Sequence, residues 1–311
     1  MLQHQPVLYQ EIIEALQPQR GFVYIDCTLG SGGHASGILE SSSPDGRLIG
    51  FEIDPIAFEI ACTKLRAYSS RTELIQDSYV NITEYAEELG LKKVMGILID
   101  LGASSIQLDM PERGFSFRDE ATLDMRFSPE SKLTAYDVVN NYPESELANL
   151  IKKFGEEKNA NRIAREIVLN RPVRTTKQLA KIIEKVVKQR PKKNRQFRRH
   201  PATQTFQAIR IVVNNELQNL KEVLPEAVNL LDKNGRLAVI SFHSLEDRIV
   251  KRFFRRESID CLCPPKQPIC TCGHTASIKI LNRRPIVPTQ EEIANNPRSR
   301  SARLRIVEKI I

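Results

Sequence analysis

The stretch Tyr24-Ile25-Asp26-Cys27-Thr28-Leu29-Gly30-Ser31-Gly32-Gly33-His34-Ala35-Ser36-Gly37 carries the residue types best suited to gripping a small ligand. A short apolar run ends in a carboxylate, passes three close glycines and continues into residues able to start a helix. It therefore reads as strand, tight loop and helix. Glycine permits sharp turns and close approach to a ligand, and a helix N-terminus presents unpaired N–H groups to polar or anionic atoms. Taken alone, Gly30-x-Gly32-x-x-Ala35 is a weak pattern that a ligand-free turn also satisfies. The next segment of chain adds weight. Ser43-Pro44-Asp45-Gly46 marks a turn, and Arg47-Leu48-Ile49-Gly50-Phe51-Glu52 is a second apolar run closing on a carboxylate. That acid falls about 20 residues beyond the glycines, where a strand-helix-strand unit places a group able to accept ribose hydroxyls. The plainer reading of Glu52 is an exposed carboxylate capping the helix that begins near Pro55.

Further strands carry the next polar candidates. Thr72-Glu73-Leu74-Ile75 reads as a third strand ending at Gln76-Asp77-Ser78-Tyr79. Asp77 and Tyr79 then sit at the carboxyl edge of the sheet, where a flat heterocycle could be bonded and stacked upon, although Asp77 alone also suits a helix cap. Met95-Gly96-Ile97-Leu98-Ile99-Asp100-Leu101 is nearly all apolar, as expected of a strand buried on both faces, and Asp100 closes it. Alternating strands and helices define an open, mostly parallel α/β sheet, with a ligand across the carboxyl ends of its strands.

After residue 104 the rhythm stops. Residues 105–205 are polar, basic and mainly helical, notably over 144–154, 158–170 and 177–189, and read as a helical domain inserted into the sheet domain. The expected organisation is therefore 1–104 as the first part of the sheet domain, 105–205 as the insertion and 206–311 as the second part. Residues 206–231 look like helices returning to the sheet. Arg236-Leu237-Ala238-Val239-Ile240-Ser241 reads as a fifth strand, followed by Phe242-His243-Ser244-Leu245-Glu246-Asp247 and a basic helix, and residues 303–308 supply a late strand.

Length and composition bound the rest. With 311 residues the chain can bury a sizeable core in one large or two medium domains. A hydrophobic content of 41% and charged content of 27% are ordinary for a soluble protein, and no apolar run is long enough for a membrane span. The N-terminus lacks a basic start followed by an apolar core, so the cytoplasm is the expected location. A net charge of +8 favours a polyanionic partner. A glycine loop and a ribose acid suit either S-adenosylmethionine or a nicotinamide dinucleotide, and fold physics alone does not choose between them.

Several blocks resemble one family closely. They are Thr28-Leu29-Gly30-Ser31-Gly32-Gly33-His34, Asp100-Leu101-Gly102-Ala103-Ser104-Ser105-Ile106-Gln107-Leu108-Asp109, Arg113-Gly114-Phe115-Ser116-Phe117 and Leu123-Asp124-Met125-Arg126. Gly155-Glu156-Glu157, His200-Pro201-Ala202-Thr203-Gln204-Thr205-Phe206-Gln207-Ala208, Ser241 to Arg248 and Asn296-Pro297-Arg298-Ser299-Arg300-Ser301 come after them in order. Together they resemble the small-subunit ribosomal RNA methyltransferase H family over essentially the whole chain. The resemblance implies a Rossmann-like class I S-adenosylmethionine-dependent enzyme that methylates N4 of a cytidine, position 1402, in the decoding region of 16S rRNA. It implies cofactor contacts at Gly32, Gly33, His34, Glu52, Tyr79, Asp100 and Gln107. Glu52 stands where the family usually has Asp, and Tyr79 where it often has Phe, substitutions that preserve the chemistry. The implied partner is 16S rRNA within the small ribosomal subunit, with no membrane; pairing with a second copy is left open.

Cytosine N4 is a weak nucleophile because its lone pair is delocalised into the ring, so an acceptor on the amino group helps localise that pair. Asp100 is the first candidate and His243 the second, with a structural histidine at a strand end as the plainer reading of His243. No metal is needed for the transfer. A substrate-facing segment is signalled by charge: residues 188–200 contain seven Lys or Arg and no acid. Lys188, Arg190, Lys192, Lys193, Arg195, Arg198 and Arg199 can neutralise phosphates and Phe197 can stack on an unpaired base, whereas a solvated basic face is the alternative. Arg248, Lys251, Arg252, Arg255 and Arg256 form a second basic cluster, and Arg298, Arg300, Arg303 and Arg305 a third. Cys261-x-Cys263 and Cys270-x-Cys272, with His274 nearby, could hold a structural zinc ion. That spacing is tighter than the usual Cys-x-x-Cys, so free thiols or a redox pair remain the alternative. A dehydrogenase on the same fold and a cofactor-free RNA-binding assembly factor are the competing functions.

Overall fold

The computed structural model describes residues 6–187, 200–264, 267 and 269–311. It divides into two compact units, Met1–Gly102 with Leu217–Ile311, and Ala103–Glu216. The first unit holds a seven-stranded sheet made of β1 (Val23–Asp26), β2 (Arg47–Phe51), β3 (Thr72–Ile75), β4 (Val94–Asp100), β5 (Leu231–Ser241), β6 (Ile278–Ile280) and β7 (Arg303–Lys309). Their order is β3-β2-β1-β4-β5-β7-β6. The first five run parallel, and β7 runs antiparallel to both β5 and β6. The short β6 has no clear signal in the sequence.

Side chains alternate across a strand, and each face of the sheet collects its own set. Ile25, Ile97, Ile99 and Val239 face one way, onto Leu220, Val223, Leu224 and Ala227 of the helix Glu216–Leu230 and onto Val250 and Phe254 of the helix Ser244–Glu257. Tyr24, Leu98, Ala238 and Ile240 face the other way, onto Ile12 and Leu16 of the helix Tyr9–Leu16 and onto Ala35, Ile38 and Leu39 of the helix Gly33–Ser41. Burial on both faces explains the near-continuous apolar reading of β4 and β5. Each fully buried Leu or Ile contributes about 1.5–3 kcal/mol relative to exposure. Asp247, in the first turn of the helix Ser244–Glu257, clamps that helix to β7: its Oδ1 accepts from Arg305 Nε at 2.7 Å and its Oδ2 from Arg303 Nη1 at 3.1 Å. Burial pushes the Asp247 carboxyl up, but the two guanidinium groups outweigh it and hold its pKa below the ordinary value. Two arginines of the third basic cluster are thus engaged in holding the fold.

The second unit is helical, with Ala135–Asn141, Glu144–Gly155, Ala160–Leu169, Thr176–Val186 and Thr203–Val213 around a core that includes Val138, Leu147, Ile151, Ile163, Ile167, Leu179, Ile183, Phe206 and Ile209. Thr134 with Asp137, and Thr175 with Gln178, close capping boxes that fix two of the helix starts. The sequence placed residue 206 onward with the sheet. The helix Thr203–Val213 instead buries Phe206, Ala208, Ile209 and Val213 in the helical core, and this unit runs to Glu216. An amphipathic stripe shows that a helix has a burial face and does not say which core receives it.

Three of the sequence blocks serve this packing. Gly155, at the end of its helix, lies so close to the helix Thr203–Val213 that a Cβ there would stand 2.6 Å from the Gln204 carbonyl oxygen. Gln207 Nε2 donates to the Phe154 carbonyl at 2.9 Å. In Leu123-Asp124-Met125-Arg126, the Arg126 guanidinium grips Asp124 through two bonds, of 3.0 and 2.7 Å, and also donates to the Pro129 and Ser131 carbonyls. A Gly155→Ala change must push these helices apart, and we expect it to lower stability by about 1–3 kcal/mol, read as a lower urea midpoint at unchanged m-value.

Candidate active site

The carboxyl ends of β1, β2, β4 and β5 bring acids to one edge of the sheet unit: Asp26, Glu52, Asp100 and Glu246. The loop after β1 is tied to its neighbours by the backbone. Cys27 N–H donates to the Leu98 carbonyl and Leu29 N–H to the Phe51 carbonyl, both at 2.9 Å. Gly32 (φ 76°) adopts the left-handed conformation that favours glycine and serves as N-cap of the helix Gly33–Ser41. Glu52 is locked to this loop. Its Oε2 accepts from Gly30 N–H and its Oε1 from Asp54 N–H, both at 2.8 Å. Two of the loop's N–H groups are thereby engaged, since Gly32 N–H also donates to the Leu29 carbonyl at 2.8 Å.

Asp26 is fully buried. One of its oxygens accepts from Thr28 N–H at 3.1 Å, while the other has no hydrogen-bond partner among the described residues. Asp100 N–H donates to Thr28 Oγ1 at 2.6 Å, and Asp100 Oδ1 is likewise buried and without a partner. Burial raises the Asp26 pKa to about 7 against the opposing backbone bond from Thr28. Burial also raises Glu52 to about 7, again against its backbone bonds and with the charges of Asp54 and Asp26 adding to the rise. Asp100 is pushed well above the ordinary value, first by burial and then by the charges of Asp26 and Glu246.

His34 is the basic neighbour of this group. Its Nε2 lies 3.0 Å from the Val7 carbonyl and its Nδ1 3.9 Å from Asp100 Oδ2. A carbonyl only accepts, so Nε2 carries the hydrogen and, in the neutral ring, Nδ1 presents a lone pair toward Asp100. Tyr79 follows β3, half-buried against the core on one face of the sheet. Asp77 accepts from Ser78 N–H, Asn81 Nδ2 and Tyr85 O–H, so it organises the turn after β3 without being a helix cap, since Ser78 and Asn81 are the N-caps of the helical segments that follow.

Other candidates are engaged locally or lie outside the described residues. His243 is the N-cap of the helix Ser244–Glu257: its Nδ1 accepts from Glu246 N–H at 3.4 Å, and its Nε2 lies 3.2 Å from Glu246 Oε1. Gln107 belongs to the helical unit and is 3% exposed; its Oε1 accepts from Ser104 N–H and its backbone N–H donates to Ser104 Oγ, a capping box on the helix Ser105–Asp109. Lys188, Arg190, Lys192, Lys193, Arg195, Phe197, Arg198 and Arg199 lie outside the described residues. Sequence reasoning placed Asp26 at the end of β1 without giving it a role. Its signal is a carboxylate closing a run that must be buried.

A ligand for this edge must tolerate several acids with raised pKa values and two unpartnered carboxylate oxygens. Buried carboxylates of this kind favour a positively charged guest over an anionic one. Taken with the strand order and the reversed strand β7, this is the architecture of a class I methyltransferase. A profile of the MraW methylase family matches residues 1–310, and the chain belongs to that family. Among its relatives, a protein of Dehalococcoides mccartyi named Ribosomal RNA small subunit methyltransferase H is 50% identical over 308 residues, covering 99% of this chain and 87% of the relative. Proteins of the same name from Heliobacterium mobile and Halothermothrix orenii are 47% and 45% identical, covering 99% of both chains and 100% of both chains respectively.

Asp26 tests the electrostatics directly. Its folded pKa exceeds its unfolded one, so the native state holds the extra proton. That contribution is full below about pH 4 and is lost as pH rises through about 7. Asp26→Asn mimics the protonated acid and abolishes the loss. Between pH 5.5 and pH 8 the stability difference should therefore move by about 2 kcal/mol in the variant's favour, as read by denaturant titration at both pH values.

Proposed function

We propose that this chain transfers a methyl group from S-adenosylmethionine to N4 of a cytidine in the decoding region of 16S rRNA. The relatives' name supports rRNA as the substrate, and the resemblance of the sequence blocks supports the position and the atom. The observation that carries the choice of donor is the pair of unpartnered buried oxygens on Asp26 and Asp100. S-adenosylmethionine supplies an electrophilic methyl group on a positively charged sulfur. A nicotinamide dinucleotide would bring a pyrophosphate to the same acids and to loop N–H groups already engaged with Glu52 and Leu29. The residues present fit the cationic donor.

In this reading Gly32, Gly33, His34, Glu52, Tyr79 and Asp100 hold the donor. The remaining lone pairs of Glu52 accept ribose hydroxyls while Gly30 and Asp54 N–H keep the carboxylate aimed. Asp100 favours its protonated form until a cation offsets the surrounding acids, and arrival of the donor shifts it toward the carboxylate. As a carboxylate it accepts a hydrogen bond from the cytosine amino group, localises the nitrogen lone pair and takes the proton released on transfer. His34 Nδ1 stands behind it as the next acceptor. Displacement at a methyl group depends chiefly on holding donor and acceptor in line, which fixed strand ends do well. His243 positions the helix Ser244–Glu257 through its cap, and Gln107 fixes the helix Ser105–Asp109. The partner is the small ribosomal subunit in the cytoplasm, gripped by basic segments that include residues 188–199.

Incubating purified 30S particles with the chain and methyl-tritiated donor, then mapping the label, tests the assignment. Label on N4 of one decoding-region cytidine is expected, and label elsewhere or none would overturn it, the latter favouring an assembly factor. Asp100→Asn should lower the single-turnover rate at saturating donor by about 10²–10³-fold with unchanged circular dichroism; an unaltered rate removes Asp100 from the mechanism. Because ionised acids hold a cation better, the donor should bind about tenfold more tightly at pH 8 than at pH 6. Calorimetry reads this, with a nicotinamide dinucleotide as the non-binding control.

A further inference from the structure

The loop joining the helix Ser244–Glu257 to β6 gathers four thiols that methyl transfer does not use. Cys261 Sγ lies 3.5 Å from Cys270 Sγ and 3.9 Å from Cys272 Sγ, and Cys270 Sγ lies 3.6 Å from Cys272 Sγ. Cys263 completes the group, with all four sulfurs within 4.8 Å of one another. These separations are far beyond the ~2.05 Å of a disulfide. They match the edge of a tetrahedron of thiolates around zinc, which for bonds of about 2.3 Å is about 3.8 Å. We propose that Cys261, Cys263, Cys270 and Cys272 form a structural zinc site of the four-thiolate class.

Three further features agree with a closed metal knuckle. Backbone N–H groups already point at the sulfurs: Leu262 at Cys272 (3.3 Å), Cys263 at Cys261 (3.4 Å) and Thr271 at Cys263 (3.4 Å). Such bonds drain charge from thiolates and orient them, as outer-shell donors do around metal ligands. The loop is also too exposed to be held by a core, with Ile269 74% exposed and Leu262 39% exposed. Finally, His274 is engaged elsewhere, its Nε2 lying 3.0 Å from the Arg256 carbonyl, which leaves a set of four sulfurs. That contact, with Ser277 N–H donating to the Glu257 carbonyl at 2.9 Å, ties the knuckle to the end of the helix that carries Lys251, Arg252, Arg255 and Arg256. On binding, the thiol protons leave to solvent and no electrons are transferred. The ion has no part in the transfer reaction, so this assignment stands or falls separately from the proposed function.

The test uses the full chain purified under reductant and without chelator. Elemental analysis should find about one zinc per chain, and a Cys270→Ser/Cys272→Ser variant should hold less than about a tenth of that. The unaltered chain, stripped and loaded with cobalt, should show thiolate-to-metal charge transfer and intense tetrahedral d–d bands, a readout independent of whether the variant folds. Two results would overturn the site: a reduced chain that gives neither stoichiometric zinc nor those cobalt bands, or a Cys261–Cys270 disulfide found by mass spectrometry despite the reductant.

Discussion

Carboxylates gathered at one edge of a parallel sheet are the constraint on which the rest of this protein depends. An ionised carboxylate removed from water is costly unless paired, and here Asp26 and Asp100 each keep one oxygen with no hydrogen-bond partner among the described residues. The protein meets that cost by letting these acids hold their protons, with Asp26 and Glu52 raised to about 7. The result is a site poised for a cation. In the proposed mechanism, charge on the guest and charge on the acids rise together, so that recognition of the donor and activation of Asp100 are one electrostatic event.

Geometry makes the poise usable. Glu52 is joined to the glycine loop by the Gly30 N–H, and Asp100 to Thr28 through its own N–H, so the three strand ends move as one piece. The sheet behind them is buried on both faces and leaves little freedom at the edge. A transfer whose barrier falls mainly through alignment benefits from such stiffness. The helical unit is built by other means. Capping boxes start its helices, a glycine allows a carbonyl within close range, and an arginine grips the carbonyls of a loop. Several of the blocks that mark the family therefore hold structure.

Much was legible in the chain itself. The apolar runs closing on Asp26, Glu52 and Asp100, and the glycines between the first two, specify strands whose carboxyl ends must carry acids. Short apolar runs in a strand-helix rhythm determine an open parallel sheet, and loss of that rhythm after residue 104 reveals an insertion. These features are local: they depend on which side chains can share a strand face, and a window of ten residues records them.

What the chain did not reveal in one dimension depended on partners distant along it. The helix Thr203–Val213 joined the helical core because Gly155 left room for its backbone, a fit between segments about 50 residues apart that no periodicity encodes. His243 and Gln107 look chemically able in one dimension, and only the fold shows that each also closes a capping box, with Glu246 and Ser104. Arg303 and Arg305 count toward a basic cluster until Asp247 is seen to hold them. Proton affinity was hidden most completely, because desolvation and the fields of Asp26 and Glu246 at Asp100 exist only once three strand ends are brought together. Local order along the chain settles which groups reach the edge of the sheet; the folded arrangement alone settles which of them remain unpaired there, since pairing is a matter of distance through space.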